Sequence, residues 1–130
     1  MSKPRVLIVE DNVDNFELVR FLLERAGYQV LSAANGVEGV EAAKREQPDL
    51  VLMDLSMPEL DGWNATARLK ADEATRAIPV FALTAHTLPG DRKRAIDAGC
   101  DGYISKPINV ASFDKLVATL LRQAKAGLQR

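Results

Sequence analysis

Three short apolar segments of this chain each run into charged residues, and this repetition constrains the fold more than any other feature. The segments are Val6 to Val9, followed by Glu10 and Asp11; Leu50 to Met53, followed by Asp54; and Tyr103 to Ser105, followed by Lys106 and Pro107. Apolar segments of this length, separated by helical patterns, are typical of buried strands in a parallel sheet. Because the carboxyl ends of parallel strands share one edge, where open α/β sheets bind ligands, we expect three carboxylates and a lysine to meet there.

Strand and helix patterns alternate five times along the chain. The predicted strands are Val6–Glu10, Gln29–Ser32, Leu50–Asp54, Val80–Thr84 and Gly102–Ser105. The predicted helices cover about Asn15–Ala26, the segment from Asn35-Gly36 to the residue before Pro48, Trp63–Ala71, the segment from Leu88-Pro89-Gly90 to Ala98-Gly99, and a last segment with Phe113, Leu116, Val117, Leu120 and Leu121 on one face. Such alternation with right-handed crossovers predicts a three-layer, doubly wound (βα)5 fold of the flavodoxin-like α/β class, with a parallel sheet in the order 2-1-3-4-5.

Composition and charge narrow the function classes. The length of 130 residues fits one domain spanning residues 1–130 without an output domain, and we expect a monomer or a weak dimer. A net charge of −1 gives no attraction to nucleic acid or to an anionic membrane. No segment resembles a signal peptide or a membrane span, and Cys100 is the only cysteine, so we expect a cytoplasmic protein in a reducing compartment.

The charged edge predicts a phosphoryl-transfer chemistry. Three neighbouring carboxylates repel one another unless a cation lies among them, and Mg²⁺ is the hard divalent ion that takes such oxygen ligands while leaving positions for phosphate oxygens. The Asp54 carboxylate is then a nucleophile toward phosphorus, with the Lys106 ammonium neutralising charge on the transferred group. Thr84, at the end of the fourth predicted strand, is placed to donate a hydrogen bond to that group. The predicted product is an aspartyl phosphate.

Four sequence segments carry a family resemblance that covers the whole chain. In their order and spacing, VLIVEDN, DLVLMDLSMPELDGW, VFALTA and GYISKPI resemble the receiver domain of two-component response regulators, the CheY-like family, and within it the stand-alone receivers of the DivK type. The resemblance implies a phosphorelay signalling function with these roles: Asp54 as phosphoacceptor; Glu10, Asp11, Asp54 and the Ser56 carbonyl at the Mg²⁺ site; Lys106 at the phosphoryl group; and Thr84 with Tyr103 as the switch pair.

Two functions from different classes follow from these residues. The first is a signalling module, not an enzyme, which accepts a phosphoryl group from a histidine kinase or a histidine phosphotransfer protein and then binds a downstream protein target. The second is a small Mg²⁺-dependent phosphatase with an aspartyl nucleophile. That class typically has a second Asp, the general acid, two residues after the nucleophile, where this chain has Ser56. The sequence therefore favours the receiver.

A docking surface for the phosphodonor is predicted beside the pocket. If Leu18, Leu22 and Leu23 face the sheet, helical phase directs Phe16 outward near Asp11. Asp14 is the predicted N-cap of this helix and Gly27 its stop. Pro107 and Ile108 follow the fifth strand and lie beside the same pocket. Together, Phe16, Pro107 and Ile108 predict a small hydrophobic patch for a helical partner, the alternative being that Phe16 folds back against its own helix.

Overall fold

One parallel sheet with helices on both faces forms the framework of the protein. The computed structural model describes residues 3–55, 62–84, 93, 96–105 and 108–128. Its strands are β1 (Arg5–Val9), β2 (Gln29–Ala33), β3 (Leu50–Asp54), β4 (Val80–Thr84) and β5 (Gly102–Ser105). The helices described are α1 (Val13–Arg25), α2 (Gly36–Glu46), α3 (Gly62–Ala71) and α4 (Phe113–Leu128). The strand order β2-β1-β3-β4-β5, with every pairing parallel, confirms the predicted doubly wound α/β fold.

Alternation along the strands divides the core into two layers. One face of the sheet, with Val6 and Ile8, packs against α1 through Val19, Leu22 and Leu23 and against α4 through Phe113, Val117 and Leu121. The other face, with Leu7 and Val9, packs against α2 through Val40, Ala42 and Ala43 and against α3 through Ala65 and Leu69. Because both faces are covered, the strands are apolar without interruption, as expected for a parallel sheet.

The boundaries of β3, β4 and β5 coincide with the sequence prediction, whereas the start of α1 differs from it. The N-cap of α1 is Asn12, whose side-chain oxygen accepts a hydrogen bond from the Asn15 amide at 2.9 Å. The prediction of Asp14 as the N-cap is therefore wrong. Asp14 lies within the first turn, where its carboxylate is favoured by the positive end of the helix dipole. Gly27, with φ of 99°, follows the end of the helix as predicted.

The apolar stripes of two helices are narrower than their sequence patterns. Leu18 of α1 and Leu116 of α4 are both 39% exposed, so neither belongs to the core as the spacing predicted. The predicted helix between Leu88 and Gly99 falls largely outside the described residues, although Lys93, Ile96 and Asp97 are helical. No helix within the described ranges is both long and apolar enough to cross a lipid bilayer.

Polar contacts fix the starts of β4 and β5 at the edge opposite the acidic residues. One carboxylate oxygen of Asp101 accepts hydrogen bonds from Lys70 Nζ at 2.7 Å and from the Val80 amide at 2.8 Å. Lys70 Nζ also donates to the Ile78 carbonyl at 2.8 Å. These contacts connect the C-terminal end of α3 to the starts of both strands and so help to fix the position of the strands along the sheet.

The single cysteine has a structural environment. Cys100 is half-buried and packs against the core layer under α2 and α3. Burial raises the pKa of its thiol to about 11. The side chain therefore stays a neutral thiol near pH 7, where a reactive cysteine is a thiolate.

Candidate functional site

Three carboxylates meet at the carboxyl edge of the sheet. Val9 pairs with Met53, so Glu10 and Asp54, the residues that follow them, lie side by side. Glu10, Asp11 and Asp54 each place a carboxylate oxygen within 4.8 Å of the other two. The structure thus brings together the three acidic residues that the sequence predicted at this edge.

The cluster is buried on one side and open on the other. Glu10 is 5% exposed and Asp54 is 2% exposed, whereas Asp11 lies at the surface. The Asn12 amide lies 3.4 Å from one carboxylate oxygen of Glu10. Negative charges at this spacing repel one another strongly where water is excluded, so the arrangement favours a bound cation.

The pairing of β4 with β5 places the predicted switch residues near one another along the backbone. Asp54 pairs with Leu83, so Thr84 is the next residue of β4 beyond the acidic strand end. Thr84 pairs with Ser105, and Tyr103 pairs with Ala82, two residues earlier. Tyr103 is half-buried and packs against the core layer under α2 and α3.

Several predicted site residues lie outside the described part of the chain. Ser56, Lys106 and Pro107 belong to this group, and the side chain of Thr84 is not described. Their assigned roles therefore stay predictions. The residues that immediately precede Ser56 and Lys106 are Leu55 and Ser105, and both lie at the same edge of the sheet as the acidic cluster.

An open pocket of about 360 Å³ adjoins the acidic cluster. It lies between the start of α1 and the start of α2, and its walls include Glu10, Asp11, Val13, Phe16, Ala33, Ala34 and Glu38. Phe16 lines this pocket and packs against the core layer under α1 and α4. Phe16 is therefore half-buried and not fully outward, and its predicted place in the docking patch stays a prediction. Ile108 is half-buried against the same layer.

Comparison with known families assigns the chain. Residues 6–119 match the family described as the response regulator receiver domain. The chain belongs to the response regulator receiver family. Two-component phosphorelay signalling is the general function of this family, and its members accept phosphoryl groups. The resemblance carried by the four sequence motifs is thereby confirmed.

Curated relatives place this receiver near one group of response regulators. It is 44% identical over 119 residues to the polar-differentiation response regulator DivK of Brucella anthropi, with 92% of this chain and 97% of that protein covered. The DivK protein of Brucella ovis has the same identity and coverage. The receiver is therefore similar to DivK over most of both sequences.

Solved receivers have the same fold. A chemotaxis protein CheY4 of Vibrio cholerae superposes with a TM-score of 0.86 at 26% identity, covering 92% of this chain and 99% of that one. The receiver domain of the sensor histidine kinase PA1611 of Pseudomonas aeruginosa gives a TM-score of 0.84 at 36% identity, covering 92% and 98% of the two chains. That structure has a magnesium ion coordinated in the active site cleft.

The donor set of this receiver fits a magnesium ion. Glu10, Asp11 and Asp54 offer hard anionic oxygens from three positions around one point. Mg²⁺ is bound in proteins by one or two carboxylates together with carbonyl oxygens and waters. Asp11 is the exposed member of the cluster, so solvent can supply such waters from its side. Receivers bind Mg²⁺ in an acidic pocket of this kind.

Sequence reasoning missed two surface features of this receiver. Besides Leu18, α1 exposes two further large apolar residues, Val13 at 71% and Phe21 at 59%. The Arg25 guanidinium lies over the Phe21 ring, 5.6 Å from its centre. The apolar stripe of α1 predicts which residues are buried, and Phe21 is not part of it. A large aromatic residue outside that stripe is itself a sequence signal for an exposed apolar surface.

Proposed function

We propose that this receiver accepts a phosphoryl group from a phosphohistidine onto a carboxylate oxygen of Asp54 in a Mg²⁺-dependent reaction. The modified protein then binds a protein target or passes the group onward. The observation that carries the proposal is the position of Asp54, at the end of a central strand, 2% exposed and within 4.8 Å of the carboxylate oxygens of Glu10 and Asp11.

In the proposed step, a new bond joins oxygen to phosphorus while the bond from phosphorus to the histidine nitrogen breaks. The imidazole nitrogen leaves with the electron pair. Glu10, Asp11, Asp54 and the Ser56 carbonyl would hold Mg²⁺, which supplies positive charge to the phosphoryl oxygens. The Lys106 ammonium adds a second positive charge at those oxygens, and Thr84 donates a hydrogen bond to them.

The proposed switch converts the new charge at Asp54 into a change of surface. The Thr84 hydroxyl moves toward the phosphoryl group, and the Tyr103 ring rotates into the space that it leaves. The half-buried position of Tyr103 and its pairing with Ala82 support this coupling. The populations of two conformations then shift in the face formed by β5, α4 and the helix predicted between Leu88 and Gly99. The protein target binds that face.

We further propose that the chain is a stand-alone signalling module in the cytoplasm and that it works as a monomer or a weak dimer. Its partners in this proposal are a histidine kinase or histidine phosphotransfer protein and a downstream protein, with no nucleic acid or membrane. The net charge of −1 supports the absence of nucleic-acid and membrane partners. Similarity to DivK along 97% of the DivK sequence supports a stand-alone module.

Incubation with acetyl phosphate separates the receiver from the alternative phosphatase. With Mg²⁺, we expect the intact mass to increase by one phosphoryl group, and chelation of the metal to prevent the increase. A phosphatase would instead hydrolyse many equivalents of an external monoester such as p-nitrophenyl phosphate. Sustained monoester turnover without a retained phosphoryl group would overturn the proposed function.

The exposed apolar residues of α1 revise the proposed docking surface for the phosphodonor. Leu18 and Phe21 are exposed on the helix that begins beside Asp11, whereas Phe16 is half-buried. Ile108 packs on the same core layer as α1. We propose that Leu18 and Phe21, with the predicted patch of Phe16, Pro107 and Ile108, contact a helical partner that carries the phosphohistidine.

Substitution of the two exposed residues tests this surface. We expect Leu18→Ala combined with Phe21→Ala to slow transfer from a histidine phosphotransfer protein about tenfold or more, because central apolar contacts dominate such interfaces. Labelling by acetyl phosphate should stay unchanged, since the small donor needs only the pocket. Val37→Ala is the matched control, because Val37 is 47% exposed on α2, across the sheet. Equal slowing with both donors would show that these residues support the site itself.

A further inference from the structure

The first residue of α3, Gly62, lies directly against the backbone of the acidic strand end. A Cβ atom at this position would lie 2.4 Å from the Asp54 carbonyl oxygen and 2.9 Å from the Leu55 Cα. Ordinary van der Waals contacts begin near 3.4 Å, so a methyl group would require about 1 Å of displacement. Backbone atoms cannot rotate away from such a group, so the end of β3 or the start of α3 must move.

The need for glycine here arises from packing and not from backbone conformation. Among the described glycines, Gly27 and Gly99 are the ones with positive φ. A helical alanine is intrinsically favoured over glycine, so local propensity alone would prefer Ala at 62. Gly39 of α2 differs, because the atoms nearest to its added Cβ belong to the Val9 side chain, with the two methyl carbons at 2.8 and 3.0 Å, and not to the backbone. Of these two helical glycines, Gly62 is the one whose nearest obstacle is the backbone of a proposed site residue.

Displacement at this contact reaches the site by two routes. Asp54 itself carries the carbonyl that would be pushed, so its carboxylate would shift relative to those of Glu10 and Asp11. The Leu55 amide also donates a hydrogen bond to the Leu83 carbonyl at 3.0 Å. Because Leu83 immediately precedes Thr84, movement of Leu55 strains the end of β4 as well.

We propose that Gly62 is a positioning residue for Asp54. Its close packing against the backbone fixes the position of the Asp54 carboxylate relative to those of Glu10 and Asp11. This inference rests on the proposed function of Asp54 as the phosphoacceptor. A residue at 62 with any side chain would leave the three carboxylates present but misaligned. Misplacement of reacting groups by about 1 Å costs up to about 100-fold in rate, so phosphorylation is the sensitive readout.

Gly62→Ala tests the proposal against a glycine control of similar kind. We expect the rate of acetyl phosphate labelling to fall about tenfold or more, and the Mg²⁺ affinity measured by calorimetry to fall with it. Gly27→Ala is the control, because its methyl group would meet no atom within 4 Å but its φ of 99° strains the backbone. That variant should lose thermal stability while keeping wild-type labelling and Mg²⁺ affinity.

The outcomes separate positioning from general stability. Wild-type labelling and Mg²⁺ affinity in a folded Gly62→Ala protein would overturn the proposal, as would equal losses in Gly27→Ala. If Gly62→Ala is unfolded, the same measurements are made in trimethylamine N-oxide, which favours the folded state. Failure to fold even there would assign Gly62 to folding alone and also overturn it. Absence of labelling in the wild type would instead contradict the proposed function, while the Mg²⁺ measurement still tests positioning.

Discussion

Replacement of Asp54 by Asn should abolish phosphorylation by acetyl phosphate while leaving the fold intact. An amide has nearly the shape of a carboxylate but is a poor nucleophile toward phosphorus. Because the change also removes one of three charges within 4.8 Å, we expect the free energy of unfolding without Mg²⁺ to rise by about 1 kcal/mol. Intact mass spectrometry measures the first effect, and denaturant unfolding measures the second.

Asp14→Asn is the control for this substitution. Asp14 is an exposed residue in the first turn of α1, so the same chemical change there removes one charge near the cluster without touching it. Labelling of this variant should match the wild type. Stoichiometric labelling of Asp54→Asn would contradict the assignment of the phosphoacceptor.

Replacement of Asp11 by Ala should weaken Mg²⁺ binding at least about tenfold, since a small octahedral ion with few protein ligands loses one of them. Asp11 is exposed, so the free energy of unfolding without metal should change by no more than about 0.5 kcal/mol. Calorimetric titration with Mg²⁺ gives the affinity. Asp14→Ala, three residues later and in the first turn of α1, should leave the Mg²⁺ affinity within the error of the measurement.

Unchanged Mg²⁺ affinity in Asp11→Ala would remove Asp11 from the proposed metal site. Equal weakening in Asp11→Ala and Asp14→Ala would show that general negative charge, and not coordination, attracts the ion. Added salt distinguishes coordination from general attraction. A loss of Mg²⁺ affinity that comes only from general negative charge becomes smaller as salt is added, because salt screens that charge.

The fold could be predicted because its strongest signals are local. The central strands are uninterrupted apolar segments, and helical patterns separate them, so a parallel sheet covered on both faces follows directly. The clustering of Glu10, Asp11 and Asp54 could be predicted from the sequence for a similar reason. Residues at the carboxyl ends of neighbouring parallel strands must share an edge, whatever the intervening loops do.

Helix phase was the least predictable part of the site. Phe16 lies three residues before Val19 and seven before Leu23, so it continues the buried stripe of α1. Leu18 was predicted to face the sheet, yet it lies at the edge of that stripe and is exposed. One residue of helix turns the side chain by about 100°, so a core face drawn through Leu18, Leu22 and Leu23 placed Phe16 farther outward than the structure does.

The close approach of Gly62 to Asp54 could not be predicted from local sequence. Its consequence depends on how α3 is placed against β3, and the intervening loop does not determine that placement by itself. A glycine at the start of a helix is compatible with a turn, a cap or a packing contact. The structure identifies it as a packing contact, because a Cβ added at Gly62 would lie 2.4 Å from the Asp54 carbonyl oxygen.

The most direct test of the central claim is chemical location of the phosphoryl group after transfer from a phosphorylated histidine protein. Borohydride reduces an aspartyl phosphate to homoserine and releases phosphate, so the acceptor position can be read by peptide mass spectrometry. The proposal predicts homoserine at position 54 in the wild type and none in Asp54→Asn. Homoserine at another aspartate, or a stable phosphoryl group on a different kind of side chain, would contradict the account.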